Sequence, residues 1–221
     1  MKRGFTLIEL MVSVTIFTMV MVVSLGALLT ISASERKAET LKSVMTNLNF
    51  ALDSMSRSIR TGSNYDGFTS CNPSLPISGI PTPTDCTAAG GSYAIAFQAI
   101  DASLAGCPAS GTPCIVVYCR GAGSTCSSSG TSLLRSTDGG NNFSAITAPE
   151  VQISNLSFYV RGAPRGDGIQ PIVTITLSGY IAINGDAATQ NNCLGQVSSG
   201  ATGQCSAFNI QTSATQRIYD Q

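Results

Sequence analysis

Apolar positions fall into three regimes along the chain. The first is a run from Phe5 to Ile31, FTLIELMVSVTIFTMVMVVSLGALLTI, in which Glu9 is the one charged residue. As a helix it spans about 40 Å, enough to cross a hydrocarbon core of about 30 Å. From Ser34 to Thr61 the chain turns polar, yet Leu41, Val44, Leu48, Leu52, Met55 and Ile59 recur at steps of three and four, the apolar stripe of one helix. Glu35, Arg36, Lys37, Lys42, Asp53, Arg57 and Arg60 fall largely off that stripe. No proline occurs before Pro73, so a nearly continuous helix from Phe5 to about Thr61 is predicted, stopped by Gly62 and followed by Ser63 and Asn64. Its first half suits lipid or neighbouring stems and its second half suits packing on its own head. A coiled coil accounts for the second half less well, since only about three heptads are available and no charge pattern flanks the stripe.

Beyond Asn64 the third regime begins: Gly, Ser, Thr, Pro and Asn accumulate between short β-rich runs. Tyr93 to Ala99 alternates, and Ile115 to Tyr118 is a short buried run. Ser132 to Arg135, Val151 to Val160, Ile172 to Ile183 and Phe208 to Arg217 follow as further strands. RGAPRGDG, with Pro164, Gly166, Asp167 and Gly168, is the expected turn of a hairpin between the two longest. The expected fold class is α+β, a long N-terminal helix covering the apolar face of a small antiparallel sheet.

The start of the chain admits three explanations. A secretory signal has a short apolar region ending at a small-residue cleavage site, and this run is too long. A single-pass anchor explains the length and the basic Lys2 and Arg3 on the retained side, but gives no reason for an acid five residues into the helix. A carboxylate there is costly in lipid and points to function. Lys2, Arg3, Gly4, Phe5, Thr6, Leu7, Ile8, Glu9 and Leu10 together resemble the class III signal of the type IV pilin and type II secretion pseudopilin superfamily.

That resemblance implies a four-residue leader (1–4) cut by a membrane prepilin peptidase between Gly4 and Phe5, with N-methylation of the new Phe5 amino group by the same peptidase/methyltransferase. A glycine before the cut leaves the backbone closely approachable; as a bland alternative, Gly4 caps the helix start. Residues 5–31 then form the transmembrane and assembly half of the helix, 32–62 its amphipathic half, and 63–221 an extracytoplasmic head. Glu9 is implied to neutralise the amino terminus of a neighbouring subunit, because an ammonium and a carboxylate are each expensive in lipid and far cheaper together. A carboxylate favoured by the helix N-terminal dipole is the simpler account of Glu9, and the two are compatible. Where major subunits of the family commonly carry a helix-breaking proline, this chain has Gly26. Glycine costs about 1 kcal/mol in a helix and proline about 3, so any local softening should be milder.

NLNFALDSMSRSIR in the stem, LSFYV and PIVTITL as paired strands, and the closing FNIQTSATQRIYD resemble J-type minor pseudopilins and W-type minor pilins. This likeness covers most of the stem and the second half of the head. Cys71 to Cys126 is an insertion-like stretch those families do not generally share. The implied partners are the prepilin peptidase, other pilin or pseudopilin subunits, the inner-membrane assembly platform and, before assembly, the lipid bilayer. The implied location is the inner membrane with the head outside the cytoplasm, then a surface pilus or periplasmic pseudopilus. A tip adhesin or DNA-capture pilin, a major pilin, and a tethered protein that never polymerises are the alternatives.

Charge narrows these choices. Lys plus Arg equals Asp plus Glu at 12 each, and losing Lys2 and Arg3 leaves 10 basic against 12 acidic side chains, without the footprint of a dedicated nucleic-acid binder. Histidine is absent, which removes the commonest general base, and no nucleophile elbow, phosphate-binding glycine loop or paired-carboxylate motif stands out, so a structural role without cofactor is expected over an enzyme.

Eight cysteines, at 71, 86, 107, 114, 119, 126, 193 and 205, form an even set in a domain expected outside the membrane, so disulfides are the default. If CIVVYC is a strand, Cys114 and Cys119 lie roughly 17 Å apart on opposite faces, beyond the reach of a bond that tolerates about 4.4 to 6.8 Å between Cα atoms. Each then closes a loop on its own side: Cys107 with Cys114 and Cys119 with Cys126. The same neighbour logic pairs Cys71 with Cys86 and Cys193 with Cys205. A zinc site is the rival, weakened by the lack of a tight Cys-x-x-Cys pair and of histidine. Ser136, Asp138, Gly140 and Phe143 in STDGGNNF match an Asp-box turn, in which Asp138 bonds nearby backbone amides. Calcium binding there is disfavoured by the sparse carboxylates.

Overall fold

The computed structural model describes residues 6–68, 71–72, 74–99, 107, 114–182, 193 and 205–217. They form one helix and nine strands: α1 (Leu7–Arg60), β1 (Gly62–Asp66), β2 (Ala94–Ala99), β3 (Ile115–Ala122), β4 (Thr125–Cys126), β5 (Ser132–Ser136), β6 (Ser144–Ala145), β7 (Val151–Arg161), β8 (Ile172–Ala182) and β9 (Cys205–Thr215). The chain divides into two units, Met1–Lys42 and Ser43–Gln221.

In the first unit the apolar residues from Leu7 to Ile31 project from α1 on every side and stay exposed. Its most apolar window has a mean hydropathy of 2.3, long and apolar enough to cross a membrane. Its hydroxyls are compatible with that, because each bonds back to the helix's own carbonyls: Ser13 to Leu10, Thr15 to Val12, Thr18 to Thr15, Ser24 to Val20 and Thr30 to Ala27. In lipid no water would satisfy them. The helix runs unbroken through Gly26, and a Cβ there would meet no atom within 4 Å.

In the second unit the apolar stripe is buried: Val44, Leu48, Ala51, Leu52, Met55, Ser56 and Ile59. The strands form two antiparallel sheets where the sequence pattern pointed to a single small one. Sheet A has the order β1-β2-β3-β5-β6 with β4 on β3, and sheet B the order β7-β8-β9. β4 and β6 are two-residue strands and carry no periodicity to read.

Alternation sorts sheet A into two faces, and both are covered. Ile95, Phe97, Val116, Tyr118 and Leu133 are wholly buried on one face. Tyr65, Phe97 and Tyr118 form a run of rings with centroids 5.9 and 6.1 Å apart. The Tyr65 hydroxyl donates to the carbonyls of Ile59, 2.5 Å, and Gly62, 2.8 Å, which docks the end of α1 on these rings. On the other face Ala94, Ala96, Ile115, Val117, Cys119 and Leu134 pack with Phe68 and Ile80, and with the partly buried Leu75, Ile77 and Phe143. A strap between Phe68 and Cys86 thus covers this face, which is why β3 reads as a continuous buried run.

The end of the strap, the residues just before β2 and the link between β4 and β5 join the sheets. Cys86 and Val160 exchange backbone hydrogen bonds of 2.9 and 3.0 Å, Ser92 and Phe158 of 2.9 and 2.7 Å, and the Ile153 amide donates to Thr131, 2.8 Å. β7 and β8 form the expected hairpin, with Arg161 opposite Ile172 and a bulge between Ile153 and Asn155.

The helix stop differs from the expectation. Gly62 is the first residue of β1, and the left-handed residue is Asn64, φ 51°, inside the β1 bulge. The end of α1 is closed by tertiary partners, Tyr65 on Ile59 and the Arg217 amide on the Arg60 carbonyl, 2.9 Å. Gly62 is needed for close approach: a Cβ there would lie 2.4 Å from Phe97 Cδ2. Gly62→Ala is therefore expected to destabilise the second unit by about 1–3 kcal/mol, with a smaller loss in a Phe97→Leu background. Denaturant melts of the four variants check this; equal losses in both backgrounds would contradict the contact.

Candidate assembly site and head surface

Thr6 and Glu9 sit at the start of α1 in a capping-box spacing. The amides of Glu9 and Leu10 donate to the Thr6 carbonyl, 3.1 and 3.3 Å, and the Thr6 hydroxyl reaches Glu9 Oε2 at 3.5 Å. A carboxylate in the first turn is also favoured by the helix dipole. Around it Leu7, Ile8, Leu10 and Met11 are exposed, so the one acid in the apolar run lies on an otherwise hydrocarbon-compatible surface. Gly4 and Phe5, the expected cleavage and methylation positions, lie outside the described residues.

Four disulfides staple the second unit: Cys71–Cys86, Cys107–Cys114, Cys119–Cys126 and Cys193–Cys205, with Cα separations of 5.1, 5.9, 5.8 and 5.7 Å. Cys71–Cys86 closes the strap over sheet A, and Cys119–Cys126 closes the β3–β4 turn. Loops of this size contribute about 2–3 kcal/mol each in the chain-entropy account.

Asp138 organises the turn after β5. Its Oδ1 accepts from the Ser136 hydroxyl, 2.6 Å, and from the amides of Asn141 and Asn142, both 3.0 Å; its Oδ2 accepts from Asn142 Nδ2, 2.7 Å. Its oxygens are thus occupied by protein donors, and among the described residues no cluster of three metal-ligating side chains occurs. Gly139, at φ 75°, lets the strap approach: its carbonyl accepts from the Ile77 amide, 2.8 Å, and a Cβ would lie 2.0 Å from the Ile77 oxygen. The turn is a clamp that holds strap against sheet.

A scan against family models matches residues 1–25 to the prokaryotic N-terminal methylation motif. No curated protein and no solved structure gives a significant match. The motif supports a type IV pilin-like family, with prepilin peptidase processing and assembly with other pilins implied by it. The long apolar helix, the antiparallel sheets and the four disulfides are consistent with a type IV pilin-like α+β fold.

Desolvation raises the Asp138 pKa, but the hydrogen bonds from Ser136, Asn142 and Asn141 outweigh it and bring the group from 3.8 to about 2. A depressed carboxylate pKa stabilises the fold above the unfolded value, and that contribution is lost as pH falls through the folded one. Wild type should therefore exceed Asp138→Asn in thermal stability at pH 6. The gap should close between about 4 and about 2. Melting curves across that range check it, and a gap that persists at the acid end would contradict it.

Proposed function

We propose that this chain is a minor subunit of a type IV pilus or type II secretion pseudopilus. It is inserted in the inner membrane as a precursor, cut between Gly4 and Phe5, N-methylated at Phe5 and built into a filament that it initiates, caps or decorates. The observation that carries this reading is the methylation motif over residues 1–25, which runs directly into a helix whose apolar residues stay exposed on every side. Such a surface suits lipid before assembly and neighbouring stems after it, so one segment serves both states.

Glu9 supplies the directional element of this reading. Dispersion between apolar helices specifies register weakly, whereas a charge pair in hydrocarbon is strongly favoured over two separated charges. The Phe5 amino group of an incoming subunit is the proposed partner of Glu9 in a subunit already placed. A low-copy position is favoured by the head: a strap, an Asp-centred clamp and four disulfides make a specialised surface.

Intact-mass analysis of the membrane form should show a chain beginning at methylated Phe5, and mass spectrometry of sheared filaments should find it as a minor component. Glu9→Ala should be processed normally yet drop at least about tenfold in filaments, the scale of losing one hydrogen-bonded ion pair. An uncut Met1 terminus together with absence from filaments would overturn the reading. Normal incorporation of Glu9→Ala would overturn the role of Glu9.

A further inference from the structure

The last strand of sheet B leaves an open edge beside the end of α1. The Gln216 amide donates to the Pro171 carbonyl, 3.0 Å, one step beyond the Thr215–Ile172 pair. In an antiparallel ladder bonded and outward residues alternate. Ala214, Thr212 and Ile210 therefore bond β8, while Thr215, Ser213, Gln211 and Asn209 turn their N–H and C=O groups away from it. Arg217 continues the outward series, and its amide is taken by the Arg60 carbonyl at 2.9 Å. Among the described residues no partner receives the outward groups of Ser213 and Thr215.

Natural edges are usually blunted by charge, proline or a bulge. β9 has none of these: no Asp, Glu, Lys, Arg or Pro occurs from Cys205 to Thr215, and its register with β8 is unbroken over eleven residues. The open edge lines a cleft of about 1110 Å³ whose other wall is α1. Arg57, Arg60 and Arg217 line it, and among the described residues the one carboxylate of its lining is Asp53, which is already tied to Arg57 at 2.9 Å. Neither Arg60 nor Arg217 has a carboxylate partner among the described residues. Phe50, 75 % exposed, stands on the same helix stripe as Asp53, Arg57 and Arg60.

We infer that this cleft receives an extended, carboxylate-bearing segment of another protein as a fourth strand of sheet B. Its backbone pairs with Ser213 and Thr215, and its carboxylate is held by Arg60 and Arg217. Strand addition takes affinity from main-chain hydrogen bonds and specificity from the side-chain sites alongside. A second copy meeting edge to edge is a poor occupant, because β9 carries no carboxylate and would leave both arginines unanswered.

The test uses the full chain in detergent micelles and three peptides of alternating Thr and Val. One is blocked at both ends with a central Glu, one is identical with Gln, and the third is the Gln peptide with a free C-terminal carboxylate. At least one carboxylate peptide should bind at least about tenfold tighter than the blocked Gln peptide, the scale of one charge-assisted hydrogen bond. Whichever carboxylate peptide binds tighter identifies the source of the carboxylate. Binding should slow hydrogen exchange at Ser213 and Thr215. Arg60→Gln with Arg217→Gln should erase the preference without changing the melting temperature, and Ser213→Pro, which removes an outward N–H, should abolish binding. Equal binding of all three peptides, amides already protected in the free chain, or edge-to-edge dimers by ultracentrifugation would each overturn the proposal.

Discussion

A helix with an apolar stripe must place that stripe against something, and in Ser43–Gln221 the stripe from Val44 to Ile59 sets the arrangement of everything else. Removing each large side chain on it from water is worth about 1.5–3 kcal/mol. Leu48, Met55 and Ile59 are wholly inaccessible. That contact puts the end of α1 over Tyr65, Phe97 and Tyr118, where the helix meets its partners for the last turn. Tyr65 serves Ile59 and Arg217 serves Arg60, so two of the last carbonyls are satisfied from beyond the helix, while Thr61 serves Arg57 and Ser58 locally. Capping and packing are one interaction here, which is why Gly62 is free to start β1.

Covering only one face of sheet A would leave Ala94, Ala96, Val117 and Leu134 to water. The strap solves this with few residues, and it has little regular structure of its own to hold it in place. Three devices compensate: the Cys71–Cys86 bond between its ends, the backbone pair of Cys86 with β7, and the Ile77–Gly139 bond to the Asp138 turn. The last two tie the strap to separate elements, so local opening at one leaves the other in place.

The parts legible in the sequence are those that bury one face with a regular period. The stripe of α1 and the long runs of β7, β8 and β9 have it, while β2 alternates large Ile95 and Phe97 with small Ala94 and Ala96 and is buried on both faces; the observed bounds fall within a few residues of the expected ones. β1 does not: GSNYD follows a helix and opens with residues that signal a stop, while its pairing with β2 is a tertiary fact. The strap was legible only as an insertion, because Phe68, Leu75, Ile77 and Ile80 lie among prolines and glycines with no period. Asp138 was visible because an Asp-box is local. The cleft beside β9 was not, since Arg60 and Arg217 are brought together by one backbone hydrogen bond across the whole head.

The stem poses the opposite problem, a surface with almost nothing to specify it. Its hydroxyls turn inward to their own helix, so from Leu7 to Ile31 the surface is close to uniform hydrocarbon, and uniform surfaces slide. Against this background Glu9 is the one charged residue from Leu7 to Ile31. Among the described residues the side-chain donor that reaches it is the Thr6 hydroxyl at 3.5 Å, and a carboxylate has lone pairs for about four donors. Glu9 thus sits exposed in the first turn of α1, where the helix dipole favours a carboxylate. On the proposed reading, the cost of a lone carboxylate in lipid is what makes pairing with the ammonium of a neighbouring subunit favourable and directional.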